Sequence, residues 1–281
     1  SKITNSSHLI SKEAKKRIIM TGTPLSNRPY DIWSQIYFLD FGERLGSNFD
    51  DFKEQYDLSN SLAKDYSGRI IFENNLKLLS EKLKDCTIRE TKKTAGIELP
   101  GRRFIAENIE MDAQQRVLYT KLQEELSAQV LQDGKLITED VEVILKRLIR
   151  LVQICSNPKL VDERYTKVTS KLECCKKIVE KARSENSKVI IWTNFVDNVE
   201  WICDYFNNKN IVGISGKVKP KERDNLLAEF KKNKQVDILV ATPGVAREGL
   251  TLVEANYSIF YDRNFSLENY LQAQDRIYRI S

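Results

Sequence analysis

The chain has 281 residues, 41% hydrophobic and 30% charged, a composition that fits a folded protein with a sizeable core and excludes a disordered chain of one charge sign. At roughly 150 residues per domain, this length fits about two domains, with one larger domain as the alternative. Lysine and arginine total 45 against 40 aspartates and glutamates, a net +5 that permits a polyanionic partner without naming one, and no apolar run approaches the roughly 18 residues a membrane-spanning helix needs.

In chain order, residues 1–41 read as helix, strand, turn and helix. Arg17-Ile-Ile-Met20 is a short apolar run expected as a buried strand, and Thr21-Gly-Thr-Pro24 breaks it. Pro29 then suits the first turn of a helix carrying Ile32, Trp33, Ile36 and Leu39. Residues 43–95 carry apolar positions at irregular helical spacing among many Lys, Asp and Asn, as a surface insertion built from helices would. Leu118, Leu122, Leu126 and Val130 recur at helical spacing before Asp133-Gly134. Thr138 ahead of Glu139, Asp140 and Glu142 suits the start of a second helix whose stripe is Val141, Leu145, Leu148 and Val152. The two helices are expected to form a hairpin that ends at Asn157-Pro158.

From about residue 166 strands and helices alternate. Ser170-x-x-Glu173 reads as a capping box; Lys188–Thr193 reads as a buried strand, and Ile211–Ile214, Val236–Ala241 and Tyr257–Tyr261 as further strands. Helices are expected over 196–207, from Pro220, and from about Ser266. This alternation predicts an α/β fold with a parallel sheet covered on both faces.

Several constellations bear on chemistry. In the last helix Gln272, Arg276 and Arg279 fall at i, i+4 and i+7, a stripe from which two guanidiniums can grip phosphate oxygens. The competing reading is an exposed helix in which Asp275 pairs with Arg279. Ala241-Thr-Pro-Gly-Val-Ala-Arg-Glu-Gly-Leu250 follows a strand, where small residues let backbone N–H groups approach an anion and Thr242 adds a hydroxyl; an ordinary strand-to-helix loop is the alternative. Thr21-Gly-Thr-Pro-Leu-Ser-Asn27 stands where ligands meet open α/β sheets, or is a turn with a helix cap. Gly213-Ile-Ser-Gly216-Lys217 lacks the spacing of a phosphate loop, which needs four residues between its glycines and a Ser or Thr after the Lys. Lys217, Lys219, Lys221 and Arg223 either line a nucleic-acid groove or form a solvated helix start. The five cysteines form no CxxC pair and His8 is the only histidine, so no metal site or nucleophile is expected.

The order of these segments resembles the Swi/Snf-related family of superfamily-two helicase-like ATPases, which are DNA translocases, over nearly the whole chain. Thr21–Asn27 resembles its motif III, and Thr87-Ile-Arg-Glu-Thr-Lys-Lys with Leu99-Pro100 its basic segment before the second lobe. Gln115-Arg-Val-Leu-Tyr119 is similar to its Gln-Arg-x-x-Tyr element, and Gln153-Ile-Cys-Ser-Asn-Pro158 to its Gln-Ile-Cys-x-His-Pro helix, with Asn157 for His. Lys188–Phe195 resembles motif IV, Thr242–Leu252 motif V, and Gln272-Ala-Gln-Asp-Arg-Ile-Tyr-Arg279 motif VI.

The resemblance implies two RecA-like lobes that clamp ATP with Mg2+ and move along double-stranded DNA. Residues 1–106 would hold the end of the first lobe with a helical insertion, 107–165 a helical protrusion or linker, and 166–281 the second lobe, the helicase C-terminal domain. Arg276 and Arg279 would reach the γ-phosphate as catalytic arginines, with Gln272 and Gly249 at the nucleotide. Thr21, Gly22 and Thr23 would couple nucleotide state to lobe movement, while Thr242, Asn194 and Lys217 would meet the DNA backbone. Nothing in the chain matches the phosphate loop or the acid pair that holds magnesium, so both are expected upstream with the rest of the first lobe, and the chain alone is expected to be inactive. Ser281, where many members have Gly, suggests a bacterial or phage-like protein of the cytoplasm or nucleoid, with a nuclear location as the alternative. The other readings are a non-catalytic nucleic-acid-binding or regulatory lobe, and an RNA helicase or restriction-type translocase.

Overall fold

The computed structural model describes residues 2–25, 28–57, 66–131, 141–206, 210–248 and 250–279. The chain divides into two compact units, Ser1–Glu98 and Leu99–Ser281.

The first unit is helical: α1 (Lys2–Glu13), a 3-10 turn over Pro29–Ile32, α2 (Trp33–Asp40), α3 (Phe49–Tyr56), α4 (Tyr66–Leu83) and a 3-10 turn over Lys84–Cys86. Pro29 opens its turn as expected, because a first-turn residue needs no N–H donor. Asn48 caps α3 by accepting from the Asp50 amide at 2.9 Å. Ile32, Ile36, Leu45, Phe52, Tyr56, Leu79 and Leu83 form the core, so the insertion read at 43–95 is bound to α2 by apolar burial. Helix α2 ends where Phe41 turns left-handed (φ 58°) into Gly42 (φ 95°). A Cβ on Gly42 would lie 2.8 Å from the Gly46 carbonyl oxygen, which is why glycine stands there. The strand expected at Arg17–Met20 does not form: Ile18 and Met20 are 83% and 93% exposed. An apolar run becomes a strand only beside a partner strand, and the first unit offers none among the described residues.

The second unit begins with extended chain and the hairpin α5 (Ala113–Leu131) and α6 (Val141–Ser156). The cap expected at Thr138 lies outside the described residues. Asp112 holds the start of α5 by accepting from the Gln114 and Gln115 amides at 2.9 and 3.0 Å and from the Tyr165 hydroxyl. Buried Gln115 Nε2 donates to the Ile154 carbonyl at 2.7 Å, so the Gln-Arg-x-x-Tyr segment is a staple between the two helices.

Then come α7 (Ser170–Ser184), β1 (Lys188–Trp192), α8 (Val196–Phe206), β2 (Ile211–Ile214), α9 (Pro220–Lys232), β3 (Ile238–Ala241), β4 (Ala255–Phe260) and α10 (Leu267–Gln274). The α7 cap is Thr169, whose Oγ1 accepts from the Leu172 amide at 3.2 Å, one residue before the capping box read at Ser170. The four strands form one sheet in the order β2-β3-β1-β4, all parallel. Alternate residues enter opposite cores: Ile190, Trp192, Leu239 and Ala241 on one face, Val189, Ile191, Ile238 and Val240 on the other. The inner strands β1 and β3 are covered on both faces, which explains their near-continuous apolar runs, whereas the edge strand β4 carries Asn256 and Ser258 and is only partly buried. No helix among the described residues is long and apolar enough to cross a membrane.

Candidate functional site

The carboxyl ends of the parallel strands gather the polar residues, as expected of an open α/β sheet. Thr193 and Asn194 follow β1, Ser215 to Lys217 follow β2, Thr242 to Gly244 follow β3, and Asp262 follows β4. The Thr193 amide donates to the Ala241 carbonyl at 3.1 Å and the Thr242 amide to Ile214 at 3.2 Å, so these exits lie side by side. Thr242 is 9% exposed.

Asp262 is buried and accepts from five donors. Ser156 Oγ and Thr193 Oγ1 approach at 2.7 and 2.6 Å, Asn198 Nδ2 at 3.2 Å, and the Asn194 amide and Nδ2 at 2.6 and 3.0 Å. Asn194 Nδ2 also donates to the Asp262 carbonyl at 3.2 Å. Its side-chain N–H groups are thus turned inward, and a phosphate, which only accepts, meets no donor of this side chain in the arrangement present. Lys217 is exposed and reaches Asp197 at 2.9 Å and Glu200 at 3.5 Å, ion pairs a phosphate would have to replace. Arg223 is buried against the Val218 carbonyl, which separates it from the lysines of its segment. Gly213 has a packing role: a Cβ there would lie 2.9 Å from Cys203 Sγ and 3.0 Å from Val199, so glycine lets β2 approach α8.

The Gln272 to Arg279 segment differs from the single stripe that its spacing predicts. Ser266 caps α10 by accepting from the Asn269 amide at 3.2 Å, and the helix closes at Gln274 with Asp275 as its last cap. Gln272 stays in the helix, where Nε2 donates to Glu268 at 2.9 Å. Arg276 and Arg279 lie beyond it, in turns. The cause is tertiary: the Leu252 amide donates to the Arg276 carbonyl at 2.9 Å, drawing the chain onto the segment that follows Gly249. Both guanidiniums face that segment, Arg276 Nη1 donating to the Leu250 carbonyl at 3.3 Å and Arg279 Nη1 to Thr251 Oγ1 at 3.2 Å. Arg279 Nε donates to the backbone carbonyl of Asp275 at 3.0 Å, so the pairing read for these two residues runs through the main chain. Gly249 itself lies outside the described residues.

Arg276 is 5% exposed, and its Nε is buried with no hydrogen-bond partner among the described residues. Burial and the adjacent Arg279 charge both push its pKa down. An arginine in this condition is held charged at a cost, and its Nε lacks an acceptor among the described residues. In the first unit, Thr21 Oγ1 accepts from the Thr23 amide at 3.1 Å, a local turn holding Gly22, around which a Cβ would find open space.

A parallel sheet with polar strand exits, and two arginines folded back onto the loop after its third strand, define a RecA-like helicase lobe. A family model described as the SNF2-related domain matches residues 1–160, and one described as the helicase conserved C-terminal domain matches residues 170–281. The chain belongs to the SNF2-related family and carries domains of its ATP-dependent helicases and translocases. It is 28% identical over 288 residues to an uncharacterized ATP-dependent helicase of Mycoplasma pneumoniae, covering 99% of this chain and 26% of that protein. The putative ATP-dependent helicase/translocase YwqA of Bacillus subtilis is 28% identical over 275 residues, 94% of this chain and 28% of that protein. The chain thus spans about a quarter of the length of these relatives. The Sulfolobus solfataricus SWI2/SNF2 ATPase core in complex with dsDNA is 27% identical, with a TM-score of 0.55 over 100% of this chain and 57% of that one.

Asp262 and Gln115 were not legible as polar hubs, because their partners lie up to 106 residues away in sequence. The one signal for Asp262 was an acidic residue directly after an apolar strand.

Proposed function

We propose that the chain is the C-terminal part of an ATP-dependent translocase on double-stranded DNA, in which Arg276, with Arg279 beside it, answers the γ-phosphate. The observation that carries this reading is the buried Arg276 guanidinium with its orphan Nε. A phosphate oxygen supplies the missing acceptor and the missing negative charge together. When water attacks the γ-phosphorus, the bond to the bridging oxygen breaks and charge shifts toward the leaving diphosphate. A guanidinium already desolvated and fixed by Leu250 and Leu252 stabilises that charge without reorganising. Gln272 and Gly249 are proposed at the same nucleotide, and Thr21, Gly22 and Thr23 as the segment coupling its state to movement.

Thr242, with Lys217 at the rim, is proposed to meet the DNA backbone, so that binding is insensitive to sequence and sensitive to salt. The double-stranded DNA held by the Sulfolobus relative supports this substrate. Acting on DNA puts the protein inside the cell, in the cytoplasm or nucleoid. Among the described residues no three His, Cys, Asp or Glu side chains converge on a metal position, and the magnesium that accompanies ATP is proposed to be held by residues other than these.

The test is DNA-stimulated ATP turnover of the full-length parent protein. Arg276→Ala is expected to lower kcat by about 10³-fold or more, with duplex binding kept. Turnover at the wild-type level contradicts the assignment, and strand displacement by the wild-type protein contradicts translocation without unwinding.

A further inference from the structure

In the segment that leads into the second unit, Arg102 reaches the turn that carries Arg276. Residues 101–110 form no helix or strand, and Phe104 and Ile105 are 66% and 75% exposed, so apolar burial does not hold this stretch in place. Arg102 does make specific contacts. Its guanidinium carbon lies 5.1 Å from the centre of the Phe104 ring and 4.8 Å from that of Tyr278, and Nη1 is 3.8 Å from Asp275 Oδ1. Asp275 and Tyr278 bracket the motif: Asp275 immediately precedes Arg276 and holds Arg279 Nε through its carbonyl, and Tyr278 stands between the two arginines in sequence. Arg102 therefore grips the turn at both sides of Arg276. It does so only a few residues past the boundary between the units at Glu98 and Leu99.

We propose that Arg102 is a positioning residue, a clamp that links the connection between the units to the orientation of the motif VI arginines. The proposal rests on the reading of Arg276 given above. A flat guanidinium suits the place because it stacks on rings while its edge reaches a carboxylate, which an ammonium does not do. Displacement of residues 99–104 pulls on Asp275 and Tyr278, and so re-aims Arg276 and Arg279. The clamp touches no reacting atom, and its loss changes how often the arginines are correctly placed.

The experiment is steady-state ATP turnover of the full-length parent with duplex DNA, comparing wild type, Arg102→Ala, Tyr278→Ala, their double variant, and Arg276→Ala as control. Half-exposed contacts of this kind are each worth a factor of about 2 to 5, so Arg102→Ala is expected to lower kcat about 3- to 10-fold. KM for ATP and the melting temperature should stay within error of wild type, a split that a purely structural role does not produce. The double variant should lose no more than the worse single one, because both remove the same clamp. Wild-type kcat for Arg102→Ala beside an inactive Arg276→Ala overturns the clamp alone, as do fully additive losses in the double variant. Wild-type kcat for Arg276→Ala overturns the reading on which it rests. If Arg102→Ala fails to fold, Tyr278→Ala decides the matter by the same split between kcat and melting temperature.

Discussion

Two buried charges in the second unit are treated in opposite ways. Asp262 sits among five donors at 2.6 to 3.2 Å, which come from the end of α6, the exit of β1 and the side of α8. Among the described residues, Arg276 has one side-chain hydrogen bond, at 3.3 Å, an Nε without a partner, and a second arginine close by. Folding alone favours the first arrangement and penalises the second. The contrast separates two kinds of buried charge: the satisfied one ties α6, β1 and α8 together, and the other is the residue proposed above to meet a phosphate.

That contrast can be broken from the Asp262 side. Asp262→Ala leaves several buried donors without an acceptor and should cost about 3 kcal/mol or more, read as a lower midpoint in urea unfolding. A shift within error would mean the network is exposed to water and carries no weight. Gly213→Ala tests ordinary packing in the same lobe. Its methyl must displace Cys203 or Val199, at an expected cost of about 1 to 3 kcal/mol measured the same way. The smallest effect belongs to the rim. Lys217→Ala should leave the unfolding midpoint unchanged, while the slope of log affinity for duplex DNA against log salt falls by about one. An unchanged slope removes Lys217 from the DNA surface and leaves it to Asp197 and Glu200.

Much of the second unit is legible in its sequence because the inner strands are buried on both faces and written as apolar runs: Ile211–Ile214 forms as read, Lys188–Thr193 ends one residue earlier at Trp192, Val236–Ala241 begins two residues later at Ile238, and the more polar edge strand read at Tyr257–Tyr261 lies at Ala255–Phe260. Ser266 and Pro220 likewise mark helix starts whose signals are local. Local signals mislead where a distant partner decides. The run at Arg17–Met20 has the composition of a strand but no described strand beside it. The spacing of Gln272, Arg276 and Arg279 is helical, yet Leu252 draws the chain out of the helix after Gln274. The same limit hides Arg102, whose partners Asp275 and Tyr278 stand far along the chain. The arginine pair was visible as a motif; the burial of Arg276 and its Nε without a partner among the described residues were not, since both arise from the fold.

The most direct measurement is the urea unfolding midpoint of the chain with Arg276→Met, read beside ATP turnover of the full-length parent with the same change. Methionine keeps much of the volume and removes the charge. The expected result is equal or greater stability, by up to about 4 kcal/mol, as when a poorly compensated buried charge is replaced by an apolar side chain, together with loss of turnover. A variant destabilised by about 2 kcal/mol or more that still turns over ATP would show that Arg276 is a satisfied structural residue, and would contradict the account.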